Sequence, residues 1–429
     1  MDCSILISFV GHQDPYSEKT NQEGSIVSLA KFLVEKQPLK WVLLLYTEDF
    51  QQRAIDTKDW LHSELQISEE AIHLEAVSSD LSADPINPVL VVQEAKRALH
   101  LAKYYQDSTD WLELNGSSGT PAMKAAWGIL QAIATQRRLR LWQVRNPQEV
   151  RAGQARVFAV DLNVFRQELD RQGIQQQLDS YDYQGAEISL KNSSIEAPLA
   201  LALIRYGKYR LARNYHQAFA AINPYKTEIE KLWFQEIAQL RQNNRPALFR
   251  DTYFQVAGLF KVGRYAEGLI LAASLYENLL QYFVQIKVDL DITTDQKDRD
   301  RSLKLLQSHD KGQLWQYLRT YQQWSGDRLS LDSVHRQVLA AVLDYHYHSQ
   351  NTALVSAFQQ IEAYYQQRND VIHQLAGLAN VEDMQKDVVN ALKKILSQVL
   401  PQEQLSLNPF KGLNYSIVRY LPSSIDVLK

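Results

Sequence analysis

A single cysteine, Cys3, stands in 429 residues, which excludes an intramolecular disulfide framework and any cysteine-based zinc site. That scarcity fits a reducing compartment. Excess charge of one sign is also missing: the net charge is −3, so no bulk basic surface recruits a nucleic acid and any such contact must be local. No stretch approaches the roughly eighteen uninterrupted apolar residues of a membrane-spanning helix, and no membrane partner is expected. The opening "MDCSILISFVGHQD" lacks the basic start and long apolar run of a secretory signal. A cytoplasmic protein is therefore expected. No low-complexity tract or internal repeat stands out. What is there is an ordinary globular composition, 45% apolar and 22% charged, at a length that suggests two or three domains.

The first 160 or so residues alternate short apolar runs with longer amphipathic ones. "CSILISFVG" (3–11), "KWVLLLYT" (40–47), "AIHLEAV" (71–77), "DWLELNG" (110–116) and "RLRLWQV" (138–144) read as strands. Stretches with helical spacing, such as "PVLVVQEAKRALHLAKYY", lie between them. This alternation predicts a parallel sheet covered on both faces, with "ARVFAVDLN" (155–163) a further strand at its edge. After about residue 162 strands give way to helices rich in Gln, Tyr and Leu. Residues 195–222 read as two helices joined near Gly207, and residues 291–302 as an exposed loop. The tail from Leu400 carries no assignment.

Two loops follow predicted strands, at the ends where open parallel sheets bind ligands. The first is "GHQDPY" (11–16), and the second is "NGSSGTPAM" (115–123), which runs into a helix. Gly116 and Gly119 let backbone approach a ligand, while Ser117, Ser118 and Thr120 bring hydroxyls to a helix start that favours anions. A phosphate-bearing ligand suits this loop, and so does a plain tight turn with an N-cap. A Walker loop is absent, since no G-K-[ST] ends it, and the first strand leads to no G-x-G-x-x-G. Those absences count against an NTPase or a dehydrogenase.

Late in the chain, "QQRNDVIHQLAGL" (366–378) sets polar groups into an amphipathic helix. Asn369 and His373 are four apart and share a face, whereas Arg368 is five from His373, about 140° around the helix. An imidazole can move protons near neutral pH, and a guanidinium can stabilise charge building on a phosphate. RNA supplies its own nucleophile, the 2′-hydroxyl, so the set suits RNA cleavage without a metal. The same residues would equally serve as a surface Arg and a His hydrogen-bonded within a bundle.

In this combination of "GHQDPY", "NGSSGTPAM" and "RNDVIH" the chain resembles, over nearly its whole length, the Csm/Csx-type CARF-HEPN accessory ribonucleases of type III CRISPR systems. The resemblance implies an α/β Rossmann-like CARF domain that senses cyclic oligoadenylate (1–161), a helical connector (162–224) and an all-α HEPN ribonuclease domain (225–429). It makes Arg368, Asn369 and His373 the catalytic set. It places Gly11, His12, Gln13, Asp14, Ser117, Ser118, Gly119 and Thr120 around the activator, a cyclic tetra- or hexa-adenylate. Pro121 stands where that family often has a lysine, and Lys124 is the nearest cation. A homodimer is implied, in which two copies of the motif form one cleft for single-stranded RNA and two sensor loops share one ring. No metal cofactor and no stable association with the interference complex are expected. Two alternatives stay open: a non-catalytic sensor, and a sensor that also degrades its activator.

Other groups carry weaker signals. Glu277, between Ala273 and Leu280 on an expected apolar face, would need a partner, either Arg368 or an ordinary salt bridge. "DYHYH" (344–348) resembles a metal box, but on a helix His346 and His348 point about 200° apart. Arg137, Arg138, Arg140 and Arg145 would form an RNA-facing patch or simply keep an edge strand soluble.

Overall fold

The structure is a computed structural model that describes residues 2–17, 21–133, 138–323, 328–374, 377–378 and 380–422, with backbone alone at 366 and 369–374. The first unit, residues 1–170, holds β1 (Ser4–Phe9), β2 (Leu39–Tyr46), β3 (Ile72–Ala76), β4 (Trp111–Asn115), β5 (Leu139–Val144) and β6 (Val157–Val160). They form one sheet in the order β3-β2-β1-β4-β5-β6. All pairings are parallel except β5 with β6, where Leu141 faces Val160 in antiparallel register. Every predicted strand forms, and the last does lie at the edge.

Side-chain alternation explains the two-sided cover. Ile5, Ile7, Leu43, Leu112 and Leu114 enter one apolar core, whereas Leu6, Val42 and Leu44 enter the other. The crossovers that supply the cover are α1 (Ser25–Val34), α2 (Gln51–Leu65), α3 (Ser79–Ala83), α4 (Pro88–Tyr105) and α5 (Pro121–Ile133). Val91, Ala95 and Ala98 of α4 and Ala126 and Trp127 of α5 pack in the first core, and Val27, Ala30 and Leu61 of α1 and α2 in the second. A Leu→Ala change at any of these sheet positions would cost about 2–5 kcal/mol.

The second unit spans residues 171–422 among those described, the division falling within α6 (Asn163–Asp179). Its helices are α7 (Tyr183–Asn192), α8 (Pro198–Leu211), α9 (Tyr215–Ile222), α10 (Lys231–Arg241), α11 (Arg245–Lys261) and α12 (Tyr265–Tyr282). They continue as α13 (Arg299–Ser308), α14 (Gln313–Thr320), α15 (Arg336–Tyr347), α16 (Thr352–Gln374), α17 (Val381–Leu396), α18 (Gln402–Ser406) and α19 (Pro409–Tyr420). Residues 171–224, expected as a connector, share one hydrophobic core with the helices after 225.

Two expectations are corrected here, and an unassigned segment gains its structure. Gly207 does not join two helices; it lies inside α8, where a Cβ would come within 2.6 Å of the Tyr183 ring. It is the small residue on which a tyrosine packs. Residues 291–302 are not all loop, since α13 begins at Arg299. The unassigned tail contains α19, started by Asn408, whose side chain accepts from Phe410 N–H at 2.9 Å, and by Pro409 at the first helical position.

A recurrent turn that no sequence period revealed also organises this unit. Tyr181, Arg213, Asn243 and Gly263 all adopt left-handed backbone, with φ of 57°, 55°, 54° and 80°. The following residue each time donates its N–H to a carbonyl five residues back: Asp182 to Gln177, Asn214 to Tyr209, Asn244 to Gln239 and Arg264 to Leu259, at 2.8–3.1 Å. That bond closes the preceding helix in the Schellman manner. Asp182, Asn214 and Asn244 then cap the next helix through side-chain bonds to Gly185, Gln217 and Ala247. Each such cap contributes about 1 kcal/mol, which offsets the roughly 1–2 kcal/mol of a non-glycine left-handed residue.

Buried charge fastens the helical array. The Arg210 guanidinium is 1% exposed and donates to Asp251 at 2.8 Å, Glu236 at 2.7 Å and the Tyr206 hydroxyl at 2.8 Å. Removing one partner would strand a buried charge at a cost of about 3–5 kcal/mol.

Candidate functional site

Beside β1 the sheet runs to β2 and β3 in one direction, and to β4 and β5 in the other. The crevice past the C-terminal ends of β1 and β4 is therefore the topological switch point of an open α/β sheet. Both loops singled out in the sequence meet there. A Cβ on Gly11 would lie 2.7 Å from the Gly119 amide nitrogen, so the two loops touch backbone to backbone. Gly119 has φ of 88°, and a Cβ there would strike the Met123 sulfur at 2.7 Å. A side chain at Gly11 would push the loops apart, and one at Gly119 would strain its left-handed backbone and crowd Met123 and Phe9.

Asp14 fastens this contact. Its side chain is 1% exposed and accepts from the Gly11 N–H at 3.1 Å, the Ile26 N–H of α1 at 3.1 Å and, closely, the Ser118 hydroxyl. Burial pushes its carboxyl above the usual range, against the opposing pull of these three bonds and of Arg53. Asn115, buried at the end of β4, donates to the Ser8 and Ser25 hydroxyls at 3.0 and 3.2 Å and accepts the Ser117 N–H at 3.0 Å. The loops are thus pre-shaped from beneath.

The eight expected sensor residues divide accordingly. Gly11, Asp14 and Ser118 are buried and build the crevice. His12 and Gln13 are exposed at its rim, the His12 ring lying edge-on to Phe50 at 4.7 Å. Ser117, Gly119 and Thr120 are half-buried, and the Ser117 and Thr120 hydroxyls are already engaged. Ser117 accepts the Val144 N–H at 2.7 Å, while Thr120 donates to the Pro85 carbonyl at 2.9 Å and caps α5 by accepting Met123 N–H at 3.3 Å. Lys124 is exposed on the first turn of α5. Sequence reasoning passed over Asn115, although it stands in the quoted loop, and missed Phe50 and Ser25, which lie on other connections.

The second site lies on α16. Its backbone carries Arg368, Asn369 and His373, although the side chains of Asn369 and His373 fall outside the described residues. The Arg368 guanidinium carbon is 5.3 Å from the centre of the Tyr365 ring, and that of Arg336 is 3.4 Å from the same ring. The Tyr365 hydroxyl donates to the Glu277 carboxylate. Burial and then this bond raise the Tyr365 pKa, while the two arginines pull it down. Beneath it, Glu362 accepts from the Tyr276 hydroxyl at 2.7 Å and from Arg336 at 2.9 Å. Glu277 is exposed rather than set in an apolar face, and its tyrosine contact is one the sequence did not suggest.

The remaining signals resolve locally. His348 pairs with Asp344 at 3.0 Å, and His346 lies edge-on to His309 with ring centres 5.2 Å apart. No group of metal-binding side chains occurs among the described residues. Arg140 takes Glu113, donating from Nε at 3.0 Å, and stacks 4.1 Å from Trp111; Arg138 meets Asp2 at 3.3 Å, and Arg145 lies 3.9 Å from Phe158. Arg137 lies outside the described residues. No described helix is long and apolar enough to cross a membrane.

An α/β unit with a preformed switch-point crevice, followed by an all-α unit, defines the class. Against known proteins, no family profile and no curated relative matches the sequence. Among solved structures, Enterococcus italicus Csm6 bound to cyclic hexa-2′-fluoro-hexa-dAMP superposes with a TM-score of 0.69 at 18% identity, covering 98% of this chain and 100% of that one. The chain therefore has the fold of Csm6, the CARF-then-HEPN architecture that the motifs led one to expect.

Proposed function

We propose that this protein is a metal-independent endoribonuclease of type III CRISPR defence, activated when cyclic oligoadenylate binds the crevice between the β1 and β4 loops. The observation that carries the reading is the end-to-end fold match to a Csm6 bound to a cyclic hexa-adenylate analogue, in a chain whose helical unit bears "RNDVIH". That ligand favours a six-membered ring over the smaller one. The exposed His12 and Gln13 and the Gly116–Thr120 backbone would face it.

In the reaction the 2′-oxygen attacks the adjacent phosphorus and the bond to the 5′-oxygen breaks. His373 assists the transfer of the 2′-hydroxyl proton or protonates the leaving 5′-oxygen, and Arg368 stabilises the extra charge on the phosphate oxygens. Products end in a 2′,3′-cyclic phosphate and a 5′-hydroxyl. The chain acts as a homodimer on this reading, with two α16 helices supplying one cleft, which overcomes the wide angle between Arg368 and His373 on one straight helix. The test is cleavage of single-stranded RNA in EDTA, with cyclic tetra- or hexa-adenylate added or omitted. Activation by the hexamer and its loss in His373→Ala are expected. Cleavage that requires a metal, or that persists in His373→Ala, overturns the mechanism; tight binding of the ring with no cleavage leaves a sensor alone.

A further inference from the structure

Away from α16, the helical unit contains two cavities of about 750 and 280 Å³ that share Tyr181 in their walls. The larger opens among three of the four recurrent turns, beneath Tyr181, Arg213 and Arg264, with Lys208 on its wall. The smaller is lined by Lys261 and Lys411, and by Tyr415, whose ring is 74% exposed. Cations and aromatic rings therefore line both cavities, and one path through them would pass groups of both kinds.

Cations on this path outnumber carboxylates, with Lys208, Arg213, Arg264, Lys261 and Lys411 against three acids. Carboxylates on it are Asp179, Asp182 and Glu267. Asp182 is occupied in capping α7 and Glu267 in pairing Arg264. Arg213 reaches only the Thr252 hydroxyl, at 3.4 Å, and Lys261 lies over the Tyr181 ring at 5.9 Å. Neither they nor Lys411 has an ion-pair partner among the described residues. Beside the path, buried Glu187 already holds Lys191, Arg205 and Lys208, so that group also carries surplus positive charge.

We propose that the two neighbouring cavities, which share the Tyr181 wall, together form a track for single-stranded RNA, separate from the cutting residues. Phosphates would meet Arg213, Lys261 and Lys411, bases would stack on Tyr415 and Tyr181, and the Gln175 and Gln184 amides would face base edges. Cations with stacking rings beside them are the pattern that holds single strands without sequence choice. Ser180, Asp182, Gln184, Arg213 and Arg264, exposed at the rim of the larger cavity, are polar and suit a solvated strand. The proposal rests on RNA being the substrate, and it explains how a chain of net negative charge holds a polyanion: through a local track.

The test measures binding, so that it stands apart from cleavage. Fluorescence anisotropy of a labelled 2′-O-methyl oligouridylate, which lacks the attacking hydroxyl, is followed with the full-length protein over a series of salt concentrations. Combined Arg213→Gln, Lys261→Gln and Lys411→Gln is expected to weaken binding tenfold or more, and to lower the slope of log affinity against log salt by about 2. Tyr415→Ala is expected to weaken binding severalfold with the slope unchanged. Lys261→Arg with Lys411→Arg should bind as the native protein does, and thermal unfolding checks that each variant folds. Native-like binding by the triple variant, or displacement of the oligonucleotide by oligo-glutamate of equal charge as readily as by unlabelled RNA, overturns the track. An RNase that cuts normally while the triple variant binds as before refutes this inference alone. Tight, salt-dependent binding by a protein that never cuts refutes only the catalytic reading.

Discussion

Asp14 offers the sharpest test of how the crevice is held. Asp14→Ala leaves the Gly11 and Ile26 N–H groups and the Ser118 hydroxyl without their buried acceptor. Each stranded donor costs about 1–3 kcal/mol, and the variant is relieved of the cost of burying a carboxylate, so a net loss of about 3 kcal/mol is expected. In a unit of this size 1 kcal/mol moves the melting temperature by roughly 2–4 °C, giving a fall of about 6–12 °C. Asp14→Asn keeps one acceptor oxygen and turns an amide towards a backbone N–H on one side, which halves the loss. Burial raises the folded pKa of Asp14 above its unfolded value of 3.8. Its contribution is therefore full below that value and declines as pH rises through the folded pKa. The gap between native and Asn proteins should accordingly narrow as pH rises above 3.8. Thermal unfolding followed by tryptophan fluorescence reads these shifts. An Ala variant that melts within 2 °C of the native protein, or an Asn variant less stable than Ala, would refute the clasp.

Two glycines in helices should respond in opposite directions. Gly207→Ala drives a methyl into the Tyr183 ring and should cost about 1–3 kcal/mol, whereas Gly173→Ala meets nothing within 4 Å and should gain about 0.5–1 kcal/mol, both read by thermal unfolding. Burial works to raise the Glu187 pKa, and hydrogen bonds from Lys191, Lys208 and Arg205 outweigh it and hold it at about 2, against 4.5 unfolded. That stabilisation is present above 4.5 and is lost as pH falls through about 2. Because its partners are 24–49% exposed, screening reduces it to about 1–2 kcal/mol, and Glu187→Gln should flatten the acid limb of a melting-temperature profile by that amount. At the α16 site, Tyr365→Phe keeps the ring near Arg368 and should cut RNA within threefold of native. Tyr365→Ala should lower kcat roughly tenfold with little change in KM.

The sheet was legible because each strand is a short apolar run bounded by polar turns, and its two-sided burial leaves no other period to compete. The recurrent turns were not, since the left-handed position is filled by Tyr181, Arg213, Asn243 and Gly263, four residue types with no shared signature. Only the Asp or Asn that follows three of them hints at a cap. Gly207 misled for the opposite reason: a helix glycine reads as a break until the ring that needs the space is seen. At the crevice, the residue types were visible but their directions were not. Asp14 and Ser118 look like ligand contacts in the sequence, yet they bond each other, because burial rewards a satisfied carboxylate over an open one.

The four turns have one further implication. Each satisfies its own frayed carbonyls and, in three cases, the opening amides of the next helix, so at these ends a hairpin's backbone needs nothing from its neighbours. A unit closed in this way can be removed without opening the backbone of the next, and what ties it to the array is its side chains, the Arg210 pairs with Glu236 and Asp251 above all.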